Sequence, residues 1–131
     1  MPAPSNKGTA RMQSRQAPAN ESVTPGFVVL YRWRLRADAE DAFVEAWSRM
    51  TMALRVRGSL GSRLHRGADG LWYSYAQWPS ARTRDEAFAR GPADPEALAQ
   101  MRAAIAESLP EVVLEVVADQ IGIAPTGVGA S

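Results

Sequence analysis

The residue types best suited to chemistry crowd into Gly58 to Ser80, which carries the only histidine, His65, beside Trp72, Tyr73, Ser74, Tyr75 and Trp78. Near neutral pH an imidazole can take a proton from a phenol or an acidic carbon. A phenolic hydroxyl of Tyr31, Tyr73 or Tyr75 can donate a hydrogen bond to an oxyanion, and indole and phenol rings can enclose a flat ligand. Proton abstraction from a planar aromatic molecule is the chemistry this set permits. The competing reading is structural: His65 stacks on Trp72 and bonds to backbone, while Trp33, Trp47, Trp72 and Trp78 pack a core and Tyr31, Tyr73 and Tyr75 reach the sheet edge or water. No metal centre is expected, since one histidine without cysteines or a carboxylate cluster makes a poor ligand set. Asp38, Asp41, Asp94 and Glu96 fall at expected helix starts, where capping and the helix dipole account for them.

Six segments must position these residues. Phe27, Val29, Tyr31, Trp33 and Leu35 alternate with Arg32, Arg34 and Arg36, the period of a strand. Asp38 can cap a helix in which Phe43, Trp47, Met50 and Leu54 recur at three- and four-residue intervals until Gly58 stops it. Leu60–Arg66 and Leu71–Trp78 flank Gly67-Ala68-Asp69-Gly70 and read as a hairpin. If those four residues are the whole loop, His65 pairs with Trp72, which places Arg63, His65, Trp72, Ser74, Ala76 and Trp78 on one face. Ser80 caps a short helix ending near Gly91. Asp94 and Pro95 start another, which buries Leu98, Met101, Ile105 and Leu109 before Pro110, and Glu111–Ile121 supplies a last strand.

The order implies an α+β fold of ferredoxin-like βαββαβ type, a four-stranded antiparallel sheet with helices on one face. Apolar residues occupy both strand parities, so the second face is expected to meet another subunit in a homodimer. One domain is expected over 26–123, between a disordered N-terminal arm, 1–25, and a flexible tail, 124–131.

Composition narrows the partners. The net charge is +1, and Lys7, Arg11 and Arg15 in the arm outweigh Glu21, so nucleic acid is not expected. All basic residues except Lys7 are arginine, which reads as compositional bias before phosphate recognition. The chain has no cysteine, no membrane-length apolar run and no signal-peptide segment, which together make a cytoplasmic location the expectation.

The stretch Ser74-Tyr75-Ala76-Gln77-Trp78 after its hairpin turn resembles the Asn-Tyr-Ala-Gln-Trp of the antibiotic biosynthesis monooxygenase family, in the branch that oxidises anthrones and quinols. The resemblance spans roughly Gly26 to Ile121. It implies a dimeric α+β barrel and oxygenation without metal, haem or flavin, the substrate itself supplying the electrons. It also places Trp78 at the family's pocket tryptophan, Ser74 at its asparagine, and Arg84 near a family tyrosine, where a guanidinium can hold an anionic substrate. The haem-degrading branch is not matched, because Trp33 stands near its strand asparagine and Ala81–Arg90 has neither Trp nor His.

The expectation is therefore a cofactor-independent monooxygenase-like protein for an aromatic, anthrone or quinol-type molecule. Trp78, Ser74 and His65 are its catalytic candidates, and Trp72, Trp33, Trp47 and Arg84 its substrate-binding ones. Two alternatives stay open: a non-catalytic binding or assembly module on the same fold, and an isomerase or cyclase of polyketide-type intermediates with His65 as base. Fold alone does not separate them.

Overall fold

The alternating segment forms β1 (Phe27–Leu35), the central strand of the sheet. The structure, a computed structural model, describes residues 25–122; the expected arm, apart from Pro25, and the expected tail lie outside the described residues. After β1 come α1 (Glu40–Val56), β2 (Gly61–Arg66), β3 (Trp72–Trp78), α2 (Ala81–Ala89), α3 (Pro95–Ala104), β4 (Ile105–Ser108) and β5 (Val112–Glu115). Among the described residues no helix is long and apolar enough to cross a membrane.

Three of the expected helix ends form as their chemistry dictates. Ser80 Oγ accepts from the Thr83 amide at 3.2 Å, and the Asp94 carboxylate accepts from Ala97 at 2.9 Å with Pro95 in the first turn. Gly58, at φ 111°, ends α1 while the Ser59 amide reaches back to the Leu54 carbonyl. Asp38 is a correction: Ala39 stands at the cap without a side-chain bond, and Glu40 and Asp41 in the first turn face the positive end of the helix instead.

The expected four-stranded sheet is also corrected. α3 stops at Ala104, so Ile105 and Leu109 are not helical, and Ile105–Ser108 turns back as β4 along the Trp33–Leu35 end of β1. The Phe27–Leu30 end of the same edge pairs with β5. Between them Leu109 donates its amide to the Arg32 carbonyl, and Pro110, which has no N–H to give, interrupts the ladder. Two short strands therefore occupy one edge of a nine-residue strand whose backbone groups would otherwise lack partners.

The resulting five-stranded antiparallel sheet follows the path β2-β3-β1-β4 and is open. This overturns the barrel expectation: β2 lies at one edge and β4 and β5 at the other, and among the described residues no ladder joins the two. The second face, expected to meet another subunit, sets Val28, Leu30, Tyr73, Tyr75, Val112 and Leu114 beside Arg32, Arg34, Arg63, His65 and Gln77.

The hairpin register differs by one residue from expectation. Gly67 and Leu71 close the loop through a 2.7 Å amide-to-carbonyl bond, Ala68–Gly70 form its tip with Gly70 at φ 86°, and Arg66 pairs with Trp72. Asp69 takes the Leu71 amide at 3.0 Å, which removes that donor from the ladder. A one-residue slip exchanges faces. Trp72, Ser74, Ala76 and Trp78 accordingly share the helix side with Arg66, Leu64 and Ser62, whereas His65 pairs with Tyr73 and joins Arg63 on the other side.

Candidate functional site

The helix side of the sheet divides into a packed end and a hollow end. At the packed end Phe43 of α1, fully buried, stands edge-on to Trp33 (5.1 Å between centroids) and to Trp72 (6.3 Å), with Ala46, Ala97, Met101 and Ala104 around them. At the hollow end the inward residues of β3 are the small Ser74 and Ala76, with Ser62 across from Ala76 on β2. Small side chains between Trp72 and Trp78 leave a cavity of about 560 Å³ that the helices roof over. This volume lies in the range of small-molecule pockets.

Tyr31, Trp33, Trp47, Ser74, Trp78 and Arg84 all reach the cavity wall. Trp47 Nε1 donates to Ser74 Oγ at 3.0 Å. Ser74 is 2% exposed, and this is its only side-chain bond among the described residues, so its own proton remains to be donated. Trp78, 1% exposed, meets Phe88 edge-on at 5.9 Å, and its indole nitrogen has no partner among the described residues. Leaving such a donor unpaired costs about 1–3 kcal/mol.

Arg84, from α2, provides the charged corner. Its Nη2 donates to the Tyr31 hydroxyl at 2.9 Å and to both oxygens of Glu111 at 2.9 and 3.1 Å, and its guanidinium lies 4.9 Å over the Phe88 ring. The Arg84 side chain is 13% exposed and that of Glu111 40%. The ion pair makes this corner electrically neutral, so a resting ligand need not be anionic.

Burial raises the Tyr31 pKa, an effect that the charge and hydrogen bond of Arg84 only partly oppose. A proton bound more tightly in the folded than in the unfolded state adds stability below the unfolded value, and that stability is lost as pH rises through the folded one. The unfolding free energy is therefore expected to fall above about pH 10 and to fall less in Tyr31→Phe. Tyr73, held protonated chiefly by its bond to Asp69, contributes to the remaining slope. Urea midpoints across the alkaline range test this, and identical slopes in wild type and Tyr31→Phe would contradict it.

The structure brings together five of the seven residues singled out from sequence: Trp78, Ser74, Trp33, Trp47 and Arg84. Trp72 lies in the packed end, with the Arg66 guanidinium 4.8 Å over its ring. His65 is corrected by the register: it is exposed on the opposite face, its Nδ1 3.4 Å from the Tyr73 carbonyl. Glu111 was missed. Its parity with Val113 in the strand expected from Glu111 is the signal that identifies it, once Val113 is known to pair with Val29 on the helix side.

No protein-family profile and no curated protein matches the chain, whereas its fold matches solved structures. Rv0793 from Mycobacterium tuberculosis shares 22% identity at a TM-score of 0.59, over 72% of this chain and 98% of that one. A candidate antibiotic biosynthesis monooxygenase from Chloroflexus aurantiacus shares 17% at 0.60, over 75% and 98%. SnoaB, a cofactor-independent oxygenase from Streptomyces nogalater, shares 16% at 0.62, over 74% and 98%. The chain thus has the α+β fold found in antibiotic biosynthesis monooxygenases, a cofactor-independent oxygenase among them.

Proposed function

We propose that the chain is a cofactor-independent monooxygenase-like protein that binds a flat aromatic molecule of anthrone or quinol type in the cavity above β3. The observation that carries this reading is Ser74: a buried hydroxyl, oriented by Trp47, whose free proton borders an aromatic-walled cavity. A carbonyl or phenolic oxygen is the ligand atom such a donor suits. The fold shared with SnoaB supports the oxygenase reading. In it an anthrone methylene and one dioxygen become a ketone and one water, and the substrate supplies the electrons.

The isomerase or cyclase alternative loses its base, because His65 lies across the sheet from the cavity. The binding-module alternative retains one supporting observation, the Arg84–Glu111 pair that already satisfies the charged corner. Anthrone in an oxygen electrode separates the readings. The expected result is oxygen uptake with matching anthraquinone formation, and the same rate in His65→Ala, where loss of a true general base would cost about 10²–10⁴. Binding of anthrone without oxygen uptake would favour the binding module. An anthrone panel that neither binds nor reacts would remove the proposal.

A further inference from the structure

Activation of a phenol or an anthrone begins with loss of a proton, and with His65 on the other face the base must come from the cavity wall itself. The ionisable side chains on that wall are Tyr31, Arg84, Arg102 and Glu111. A guanidinium stays protonated, and burial keeps Tyr31 a donor. Glu111 alone among them can accept a proton. It is also the residue that neutralises Arg84, whose Nη2 makes every bond to Glu111 and Tyr31 while Nη1 makes none among the described residues.

We propose that Glu111 is the proton acceptor of the cavity and that Arg84 exchanges Glu111 for the substrate anion as the proton moves. This rests on the aromatic-ligand reading above. The substrate O–H bond breaks, an O–H bond forms on the Glu111 carboxylate, and the electron pair stays on the substrate oxygen, which takes hydrogen bonds from Nη1. Before the transfer the guanidinium is paired with a carboxylate, and after it with a phenolate. One ion pair replaces another, so no charge is left uncompensated beside the cavity, which would otherwise be costly. Tyr31, already bonded to Nη2, has its own proton available to the same anion.

Alizarin, a dihydroxyanthraquinone that is yellow as the phenol and red as the phenolate, reads this step without turnover. It is mixed with the full chain in weakly buffered solution at pH values below the free dye's first ionisation, and proton release is followed with an indicator. Wild type is expected to bind the dye in its red form with no proton released to the medium. In Glu111→Gln the bound dye should turn red only with release of one proton per dye, so that its red fraction rises with pH where that of wild type is flat. In Arg84→Gln the bound dye should stay yellow. Yellow dye on wild type, a proton released for each red dye on wild type, or wild-type behaviour in either variant would each overturn the exchange while leaving the ligand class intact. The wild-type proton count decides the matter by itself should a variant fold poorly. Failure of the dye to bind wild type would overturn the ligand reading and this inference together.

Discussion

Phe43→Ala is expected to lower the unfolding free energy by about 3–5 kcal/mol, the usual cost of deleting a buried aromatic ring. Phe43 is fully buried and fills the space between Trp33 and Trp72, the two tryptophans that face each other across β1 and β3. Neither indole can move into the gap without breaking its place on the sheet, so the site relaxes little and the cavity term stays near its upper range. Edge-to-face contacts of this kind add about 0.5–1.5 kcal/mol beyond area burial. A domain of this size has about 5–15 kcal/mol in total, so the variant should lose much of its cooperative stability. Urea denaturation gives the answer from the shift in midpoint at unchanged slope. A loss below about 1 kcal/mol would mean that the packed end repacks freely and is not the core described.

Ala76→Phe is expected to weaken anthrone and alizarin binding by about 100-fold or more and to leave the fold intact. Ala76 lies on the cavity floor between Ser74 and Trp78, with Ser62 opposite, and its methyl group is what keeps that floor low. A phenyl ring built there enters existing empty space rather than a packed core, so the about 1–3 kcal/mol usually lost to overpacking is not incurred in full. Calorimetric titration set against a thermal melt distinguishes the two effects. Full retention of binding with an unchanged melt would show that the ligand sits elsewhere. Binding lost only in step with the melting temperature would reduce the result to a folding defect.

The aromatic cavity and its charged corner came from different kinds of information. Local patterning was enough to place β1, α1, α2 and the hairpin strands, because hydrophobic periodicity and capping residues act within a few positions of themselves: Ser80, Asp94-Pro95 and Gly58 each end or begin a helix through bonds to near neighbours. The family resemblance, rather than periodicity or capping, marked Trp78, Ser74 and Arg84 as residues worth placing, and their aromatic type marked Trp33 and Trp47.

The sheet face of each residue was decided at a longer range. His65 depended on whether Leu71 belongs to the loop or to the ladder, and that turned on Asp69 capturing one amide, a choice that moves an imidazole from one side of the sheet to the other. The C-terminal third depended on β1: Ile105–Ser108 has a helical pattern in isolation, yet becomes a strand because the Trp33–Leu35 edge offers unpaired backbone groups. Glu111 became part of the site through its ion pair with Arg84, which joins two segments distant in the chain. The open rather than closed sheet has the same origin, since strand order is a property of pairing between distant segments. By itself the sequence determined the chemical inventory and the elements from β1 to the start of α3, whose causes are local. Only the tertiary structure decided register, face and the pairing of Arg84 with Glu111, whose energies exist only once distant segments meet.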